Sequence, residues 1–209
     1  MPFGPCGAAR QMNTYRQLLL RPERLWTRPE VLSRPGPVPK EAGIYAWYFR
    51  KIPPGVPTTG CVRKGEHTLL YLGISPRRPP SNGKLPSQQQ LANRVRYHFS
   101  GNAEGSTLRL SLGCLLGERL GIELRRVGSG TRMTFGLGED RLSTWMAENA
   151  SVTWMTHPEP WELEKQLIGE LSLPLNLDQN TRHPFYPVLS NARRTAKSRA
   201  RALPIVGGP

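Results

Sequence analysis

Proline and glycine interrupt this chain so often that long, uninterrupted helices are excluded over much of it. Each of the two residues occurs 21 times among the 209 residues, and both break helices and central strands. Apolar residues make up 37% of the chain, which is enough for one modest core. We therefore expect one folded domain with long loops and appended arms.

The chain carries a large positive charge. It has 29 Lys and Arg residues against 15 Asp and Glu residues, which gives a formal net charge of +14. Such a surface concentrates polyanions and speeds encounter with them. A solubility surface or a membrane-surface binder is the alternative, but no amphipathic basic helix with an aromatic face stands out. Nucleic acid is therefore the favoured partner.

Cysteine usage and hydropathy bear on the compartment. Cys6, Cys61 and Cys114 are scattered and form no Cys-x-x-Cys pair, so a disulfide framework or a zinc ribbon is disfavoured and a reducing cytoplasm fits. No apolar run approaches the roughly 18 residues that can span a bilayer. The N-terminus also lacks an apolar segment of signal-peptide length. We expect a cytoplasmic protein without membrane association.

Three regions follow from the patterning of the chain. Residues 1–42 comprise a short helix opened by Asn13 and an extended proline-rich arm, residues 43–180 the folded domain, and residues 181–209 a basic tail. The run 192–201 has five basic residues and no acid, which predicts a solvated, partly disordered segment. Alternation and helical spacing predict strands at 43–49, 68–75 and 151–157 and helices at 87–99 (capped by Ser87), 140–149 and 161–171. A further helix followed by an extended piece is predicted within 107–127.

The helix predicted at 161–171 has a carboxylate on its apolar side. Its leucines and isoleucine form one stripe by helical spacing, and Glu164 falls inside that stripe. A carboxylate aimed at a core is costly unless it is paired or bound to a metal. Glu164 is therefore a candidate metal ligand, and a buried salt bridge to an Arg is the structural alternative.

Two further pairs of residues are candidates for chemistry. Arg94 and His98 are four positions apart, so they share one helix face. Arg suits a phosphate through its planar fork of donors, and His exchanges a proton near neutral pH; a solvated basic face is the alternative. Tyr45 and Tyr71 lie on neighbouring strands, where core packing is the alternative role.

The order of these residues resembles a known family. The strings GIY at 43–45 and YLG at 71–73 resemble the two signatures of the GIY-YIG nuclease family. Arg94 then occupies the position of the family's phosphate-binding Arg. Glu164 lies in a segment similar to the family's metal-binding helix, and Asn176 lies in a Pro-x-Asn element just beyond it.

The resemblance implies an α/β (α+β) fold with a small central antiparallel three-stranded sheet flanked by helices. An N-terminal arm precedes this domain, and an inserted segment occupies about 101–140. The long loop at 50–67, together with His98 four positions after Arg94, is most similar to the Eco29kI-type restriction endonuclease branch.

The same resemblance implies an Mg²⁺-dependent endodeoxyribonuclease that hydrolyses DNA phosphodiester bonds, with Mn²⁺ able to substitute. Tyr45 is the preferred general base and Tyr71 the alternative, with His98 or the metal stabilising the phenolate. Glu164 would be the metal ligand, and Asn176 would bond near the scissile group or lock the Glu164 helix. The full catalytic set, which we expect to converge on one concave surface, is Tyr45, Tyr71, Arg94, His98, Glu164 and Asn176.

DNA is the implied partner. Basic residues of the loop 75–84 and of the tail would contact phosphates rather than bases; they are Arg77, Arg78, Arg193, Arg194 and Lys197. A homodimer would suit a restriction enzyme acting on a short symmetric target, and a repair or phage-defence nuclease is the alternative role. Two other classes compete: a catalytically inert nucleic-acid-binding module of the same fold, and an RNA- or ribosome-associated protein whose fold would scatter these residues.

Overall fold

An antiparallel sheet lies at the centre of the structure. The structure is a computed structural model that describes residues 16–80 and 87–207. The strands of the chain are β1 (Gly43–Phe49), β2 (Arg63–Lys64), β3 (His67–Ser75), β4 (Arg125–Val127), β5 (Arg132–Thr134) and β6 (Ala150–Thr156). The central sheet has the order β2-β3-β1-β6, and β4 and β5 form a separate hairpin. The three predicted strands are confirmed as β1, β3 and β6, and the two-residue β2 extends the sheet beyond the three strands expected.

Helices cover both faces of the sheet, as predicted for the α/β class. Residues 16–20 are helical, and the Asn13 cap proposed for that segment lies outside the described residues. The later helices are α1 (Arg28–Leu32), α2 (Leu91–Ser100), α3 (Thr107–Leu120), α4 (Gly138–Asn149), α5 (Pro160–Glu170) and α6 (Tyr186–Ala202). Among the described residues, no helix combines the length and the apolarity needed to cross a lipid bilayer.

Strand β1 is buried along its whole length because helices pack on both of its faces. Tyr45 and Trp47 point into one core, which also contains residues of α2, α3 and α4. Ile44 and Tyr48 point into the other core, which contains the apolar face of α5. The period of two along a strand thus sends alternate residues of β1 to different cores, and it places Tyr45 on the side of α2.

Helix α2 begins later than the sequence predicts. Ser87 was expected to cap it, but the helix begins at Leu91 and the N-cap position is Gln90. The backbone N–H of Leu91 donates to the carbonyl of Glu41 over 2.9 Å, and the N–H of Ala92 donates to the carbonyl of Pro39. The proline-rich arm therefore satisfies the first N–H groups of the helix, which would otherwise need a side-chain cap.

The arm is less extended than expected, since α1 interrupts it. Thr27 and Glu30 form a capping box at the start of this helix, in which the backbone N–H of Thr27 donates to the Glu30 carboxylate. The preceding residue, Trp26, exchanges two backbone hydrogen bonds of 2.8 and 2.9 Å with Val152 of β6. The arm is thus held against the edge of the central sheet.

The expectation of a partly disordered basic tail at 192–201 was wrong, because these residues belong to α6. Small and apolar residues recur every three or four positions, and Leu189 and Ala200 are fully buried in a face that packs against α3. Arg126 also donates to the carbonyls of Ala200 and Leu203 near the end of the helix. Burial of that narrow face orders a segment whose charge suggested disorder.

A buried ion pair holds the inserted segment together. Arg109 of α3 is fully buried, and two of its guanidinium nitrogens donate to the carboxylate of Glu139 over 2.7 and 3.0 Å. The other Glu139 oxygen accepts the backbone N–H groups of Ala103 and Phe135. Removing one member of such a pair leaves a buried charge uncompensated, which costs about 3–5 kcal/mol. The pair therefore fixes the start of α3 against α4.

Candidate active site

A concave pocket of about 640 Å³ opens beside the β1 and β3 strands. Five of the six predicted catalytic residues line it, and the sixth, His98, lies directly behind Tyr45. Its lining includes Tyr45, Tyr71, Gly73, Arg77, Arg78, Arg94, Thr107, Glu164, Asn176, Asp178, Gln179 and Arg193. The structure thus brings together residues from both halves of the domain.

The two signature glycines are required by close packing. A Cβ atom at Gly73 would lie 2.5 Å from the hydroxyl oxygen of Tyr45, because the phenol ring passes directly over β3 at this position. A Cβ atom at Gly43 would collide with the backbone carbonyl of Met155 on β6. The absence of a side chain at Gly73 therefore allows the Tyr45 hydroxyl to reach the pocket.

Tyr45 contacts two polar side chains of the site. Its hydroxyl oxygen lies 2.8 Å from Nε2 of His98, and Nε of Arg94 donates to it over 3.4 Å. Burial raises the pKa of Tyr45 above its usual value, and the charge of Arg94 opposes that shift. The guanidinium thus favours the phenolate, and burial favours the neutral phenol.

His98 is fully buried and neutral at pH 7. Burial lowers its pKa well below the usual value, and the nearby charges of Arg94 and Arg109 lower it further. Its second ring nitrogen, Nδ1, lies 2.7 Å from the hydroxyl oxygen of Ser106, the N-cap residue of α3. The ring is therefore held by a hydrogen-bonding partner at each nitrogen.

Arg94 is anchored by the inserted segment. Its Nη1 donates to the carbonyl of Gly105 over 2.7 Å and its Nε donates to Tyr45. Among the described residues, its Nη2 makes no hydrogen bond, so that nitrogen remains available to a ligand of the pocket. The guanidinium is thus fixed on one side and open on the other.

Tyr71 projects from β3 toward the same insertion. Its hydroxyl lies 3.3 Å from the hydroxyl of Thr107, and burial raises its pKa. Gly105, Ser106 and Thr107 are consecutive, so one short segment contacts three of the predicted catalytic side chains. Sequence analysis missed these residues. Ser106 is a residue type favoured at an N-cap, but that preference says nothing about which side chain it meets.

Glu164 lies on α5 at the edge of the pocket, partly buried. Its carboxylate accepts one hydrogen bond, of 3.3 Å, from Nε2 of Gln179. Within the described residues no Lys, Arg or His forms an ion pair with it, so the salt bridge considered as an alternative is absent. Burial raises the pKa of Glu164 to about 7, and the negative charge of Asp178 adds to the shift. The carboxylate is therefore free of a direct ionic contact within the part of the chain that the structure describes.

Asn176 holds two parts of the site together. Its amide oxygen accepts the backbone N–H of Leu72 over 2.9 Å, and its amide nitrogen donates to the Leu72 carbonyl over 2.8 Å. The amide oxygen and the amide nitrogen of Asn176 thus both bond to the backbone of Leu72, the middle residue of the YLG string. These bonds anchor the segment that follows the Glu164 helix to β3. Of the two roles expected of Asn176, this contact corresponds to the locking of the segment that follows the Glu164 helix.

The predicted DNA-binding residues divide into two groups. Arg77, Arg78 and Arg193 line the pocket, and Arg78 forms an exposed ion pair of 2.8 Å with Glu162. Arg194 and Lys197 lie farther along α6, outside the pocket lining. Residues 81–84 of the basic loop fall outside the described residues. Helix α6 therefore brings Arg193 to the pocket from the far end of the chain.

The pocket thus gathers two tyrosines, an arginine and a glutamate beside an antiparallel sheet that is flanked by helices. A family model described as the GIY-YIG catalytic domain matches residues 43–195. The chain belongs to this family and carries a nuclease domain. The match continues into α6, beyond the boundary that we predicted at residue 180. No curated protein and no solved structure gives a significant match to the chain.

Proposed function

We propose that the protein is a metal-dependent endonuclease that hydrolyses DNA phosphodiester bonds. The observation that carries this proposal is the convergence of Tyr45, Tyr71, Arg94 and Glu164 on one pocket. Hydrolysis of a phosphodiester needs a base for the attacking water and positive groups for the charge on the phosphate. An RNA- or ribosome-associated protein with chance motif matches would scatter these residues, so the geometry disfavours it.

Glu164 fits the requirements of a divalent cation. Its carboxylate is partly buried, accepts one hydrogen bond and lacks an ionic partner among the described residues. Those residues contain no group of three or more His, Cys, Asp or Glu placed to hold an ion. Mg²⁺ is commonly bound through one or two carboxylates and keeps several waters. When bound, Mg²⁺ or Mn²⁺ would polarise the phosphate and offset the charge of the leaving oxygen.

Tyr45 is our preferred general base. A guanidinium N–H can only donate, so the contact from Arg94 stabilises the phenolate form of Tyr45. Tyr71 has instead a hydroxyl partner, Thr107, at 3.3 Å. We assign to Tyr71 the positioning of the water or of the phosphate. The free Nη2 of Arg94 would hold a non-bridging oxygen as negative charge builds on it.

We expect Arg193 and the basic residues near it to contact the phosphates of bound DNA. Arg193 is partly buried at the pocket, and among the described residues its guanidinium has no hydrogen-bond or carboxylate partner. A partly desolvated cation of this kind is stabilised by a ligand anion. Arg194 and Lys197 extend the positive surface along α6, and Arg77 and Arg78 border the pocket near β3.

We predict that removing charge from α6 weakens DNA binding independently of sequence. Because α6 packs into the core, the test uses the double variant Arg194→Ala/Lys197→Ala rather than a truncation. Each lost phosphate contact should reduce the slope of log K against log salt concentration by about 0.9. Lys51→Ala/Lys64→Ala removes the same two positive charges at the end of the sheet away from Tyr45 and is the matched control. Binding titrations at several salt concentrations would contradict the proposal if the double variant kept the parental slope.

We also place the protein nearest to the Eco29kI-type restriction branch. The long connection between β1 and β3, and the 2.8 Å contact of His98 with Tyr45, support this placement. A homodimer acting on a short symmetric target, in the cytoplasm, is the corresponding assembly and setting. A repair or defence nuclease is the competing role within the same class.

Plasmid cleavage tests the proposed function. We expect supercoiled DNA to be converted to nicked or linear products with Mg²⁺ or Mn²⁺ and to stay intact with a chelator. Sequencing of the product ends distinguishes a restriction enzyme, which gives one repeated site, from a structure-directed nuclease. A protein that bound the plasmid but left it uncut with every divalent ion tried would be the inert module instead.

A further inference from the structure

Ser106, His98 and Tyr45 form a hydrogen-bonded chain behind the pocket. All three are buried, with exposed fractions of 0%, 0% and 1%. The Ser106 hydroxyl oxygen lies 2.7 Å from Nδ1 of His98, and Nε2 of His98 lies 2.8 Å from the Tyr45 hydroxyl oxygen. The distances leave open which way each proton points, and the remaining partners of the chain decide it.

The hydrogen-bond partners of Ser106 determine the direction of the first link. The backbone N–H of Arg109 donates to the Ser106 oxygen over 3.1 Å, and an N–H cannot accept. Among the described residues, the only acceptor in reach of the Ser106 hydroxyl proton is therefore Nδ1 of His98. Leaving a buried hydroxyl proton without an acceptor costs about 1–3 kcal/mol. The hydroxyl proton of Tyr45 can instead turn into the pocket that Tyr45 lines, where water accepts it, whereas Ser106 does not line that pocket. Ser106 therefore donates to Nδ1.

The direction of the second link follows from the charge state of His98. The ring is buried and lies near the cations Arg94 and Arg109, and no carboxylate among the described residues bonds to it, so it carries a single proton. Since Nδ1 accepts a hydrogen bond, that proton is on Nε2. We propose that Ser106 is a positioning residue that holds the proton of His98 on Nε2, so that His98 donates to Tyr45.

This tautomer determines what Tyr45 can do. Its oxygen receives two donors, Nε2–H of His98 and Nε–H of Arg94, so both neighbours stabilise a phenolate. In the opposite tautomer, the lone pair of Nε2 would accept the Tyr45 proton and stabilise the neutral phenol instead. The consequence for cleavage rests on the proposed function, whereas the tautomer itself does not depend on it.

The inserted segment contributes to the site through Ser106. Ser106 is the N-cap of α3, and the buried pair of Arg109 and Glu139 fixes the start of that helix. The segment at 101–140 therefore supports the site from behind, through Ser106 in particular, in addition to adding bulk to the domain.

Nitrogen NMR of the full chain, labelled with ¹⁵N at histidine, tests the tautomer directly. The protein has four histidines, and the signals that vanish in His98→Asn identify those of His98. Protonated and unprotonated ring nitrogens have well-separated chemical shifts, so each spectrum reports which nitrogen holds the proton. Two variants accompany the parent. Ser106→Gly removes the hydroxyl at an N-cap cost of only a few tenths of a kcal/mol, and Ser106→Thr retains a hydroxyl.

We expect the parent to carry the proton on Nε2 and Ser106→Gly to lose that preference. In the cleavage assay, kcat of Ser106→Gly should fall by about 100-fold with little change in KM, the scale of one lost donor to a developing anion. Ser106→Thr should restore both properties. A parent protonated at Nδ1, or a Ser106→Gly variant with an unchanged His98 spectrum, would overturn the inference. Failure to cut DNA would sink the proposed function alone, because the spectra are recorded without DNA.

Discussion

Replacing Glu164 by Gln is expected to reduce DNA cleavage by several orders of magnitude while the protein stays folded and binds DNA. The substitution keeps the size and the hydrogen bond from Gln179 but removes the negative charge that would attract Mg²⁺. Loss of a negative charge that faces the phosphate should leave DNA affinity unchanged or raise it. Because Glu164 lacks an ionic partner among the described residues, no charge is left unpaired by the change.

Glu170→Gln is the matched control, since it makes the same chemical change on the same helix. Glu170 forms an ion pair with Arg16 at the surface, and surface pairs contribute little to stability. Single-turnover cleavage, DNA titration and thermal melting of both variants decide the question. A folded Glu164→Gln variant that cut DNA at the parental rate would remove Glu164 as a metal ligand and most of the mechanism with it.

The pKa of Glu164 also predicts how Mg²⁺ binding depends on pH. Burial and Asp178 raise that pKa to about 7, so protons compete with the metal for the carboxylate below pH 7. Apparent Mg²⁺ affinity should therefore fall by about tenfold per pH unit below 7 and level off above it. Calorimetric titration of the parent at several pH values measures this, and Glu164→Gln should show no such dependence.

Replacing Tyr45 by Phe is expected to lower the cleavage rate by ~10²–10⁴-fold, the usual contribution of a general base. The ring and its packing over Gly73 are retained, and only the hydroxyl shared by His98 and Arg94 is lost. Tyr71→Phe should cost less if Tyr71 only positions the water. An equal or larger loss in Tyr71→Phe would reverse the assignment of the base.

Tyr48→Phe controls for the removal of a buried hydroxyl from β1. Tyr48 points into the opposite core and donates to the carbonyl of Leu19 over 2.7 Å.

The pH dependence of the cleavage rate supplies a second test of Tyr45 as the base. Because burial raises the pKa of Tyr45, the phenolate fraction grows about tenfold per pH unit throughout the neutral range. The parental rate should therefore keep rising with slope one above pH 7, and Tyr45→Phe should lose that slope.

Local pattern was sufficient to predict the sheet and the order of the site residues. The strands β1, β3 and β6 match their predicted positions, because β-branched and aromatic residues bounded by turns have few alternatives. The helical spacing of α5 also predicted that Glu164 would lie within the apolar stripe, and the side chain is partly buried rather than in open solvent. Such features depend on neighbours within a few positions, so sequence alone determines them.

Contacts between segments far apart in sequence determine the features that local pattern did not predict. Helix α2 begins at Leu91 because carbonyls of the arm satisfy its first N–H groups, and α6 is ordered because its narrow small-residue face meets α3. Ser106 meets His98 at the start of α3, which the buried pair of Arg109 and Glu139 holds against α4. Each of these depends on packing and on the burial of polar groups among residues far apart in sequence. Local periodicity contains no information about such partners, whereas the tertiary structure specifies them.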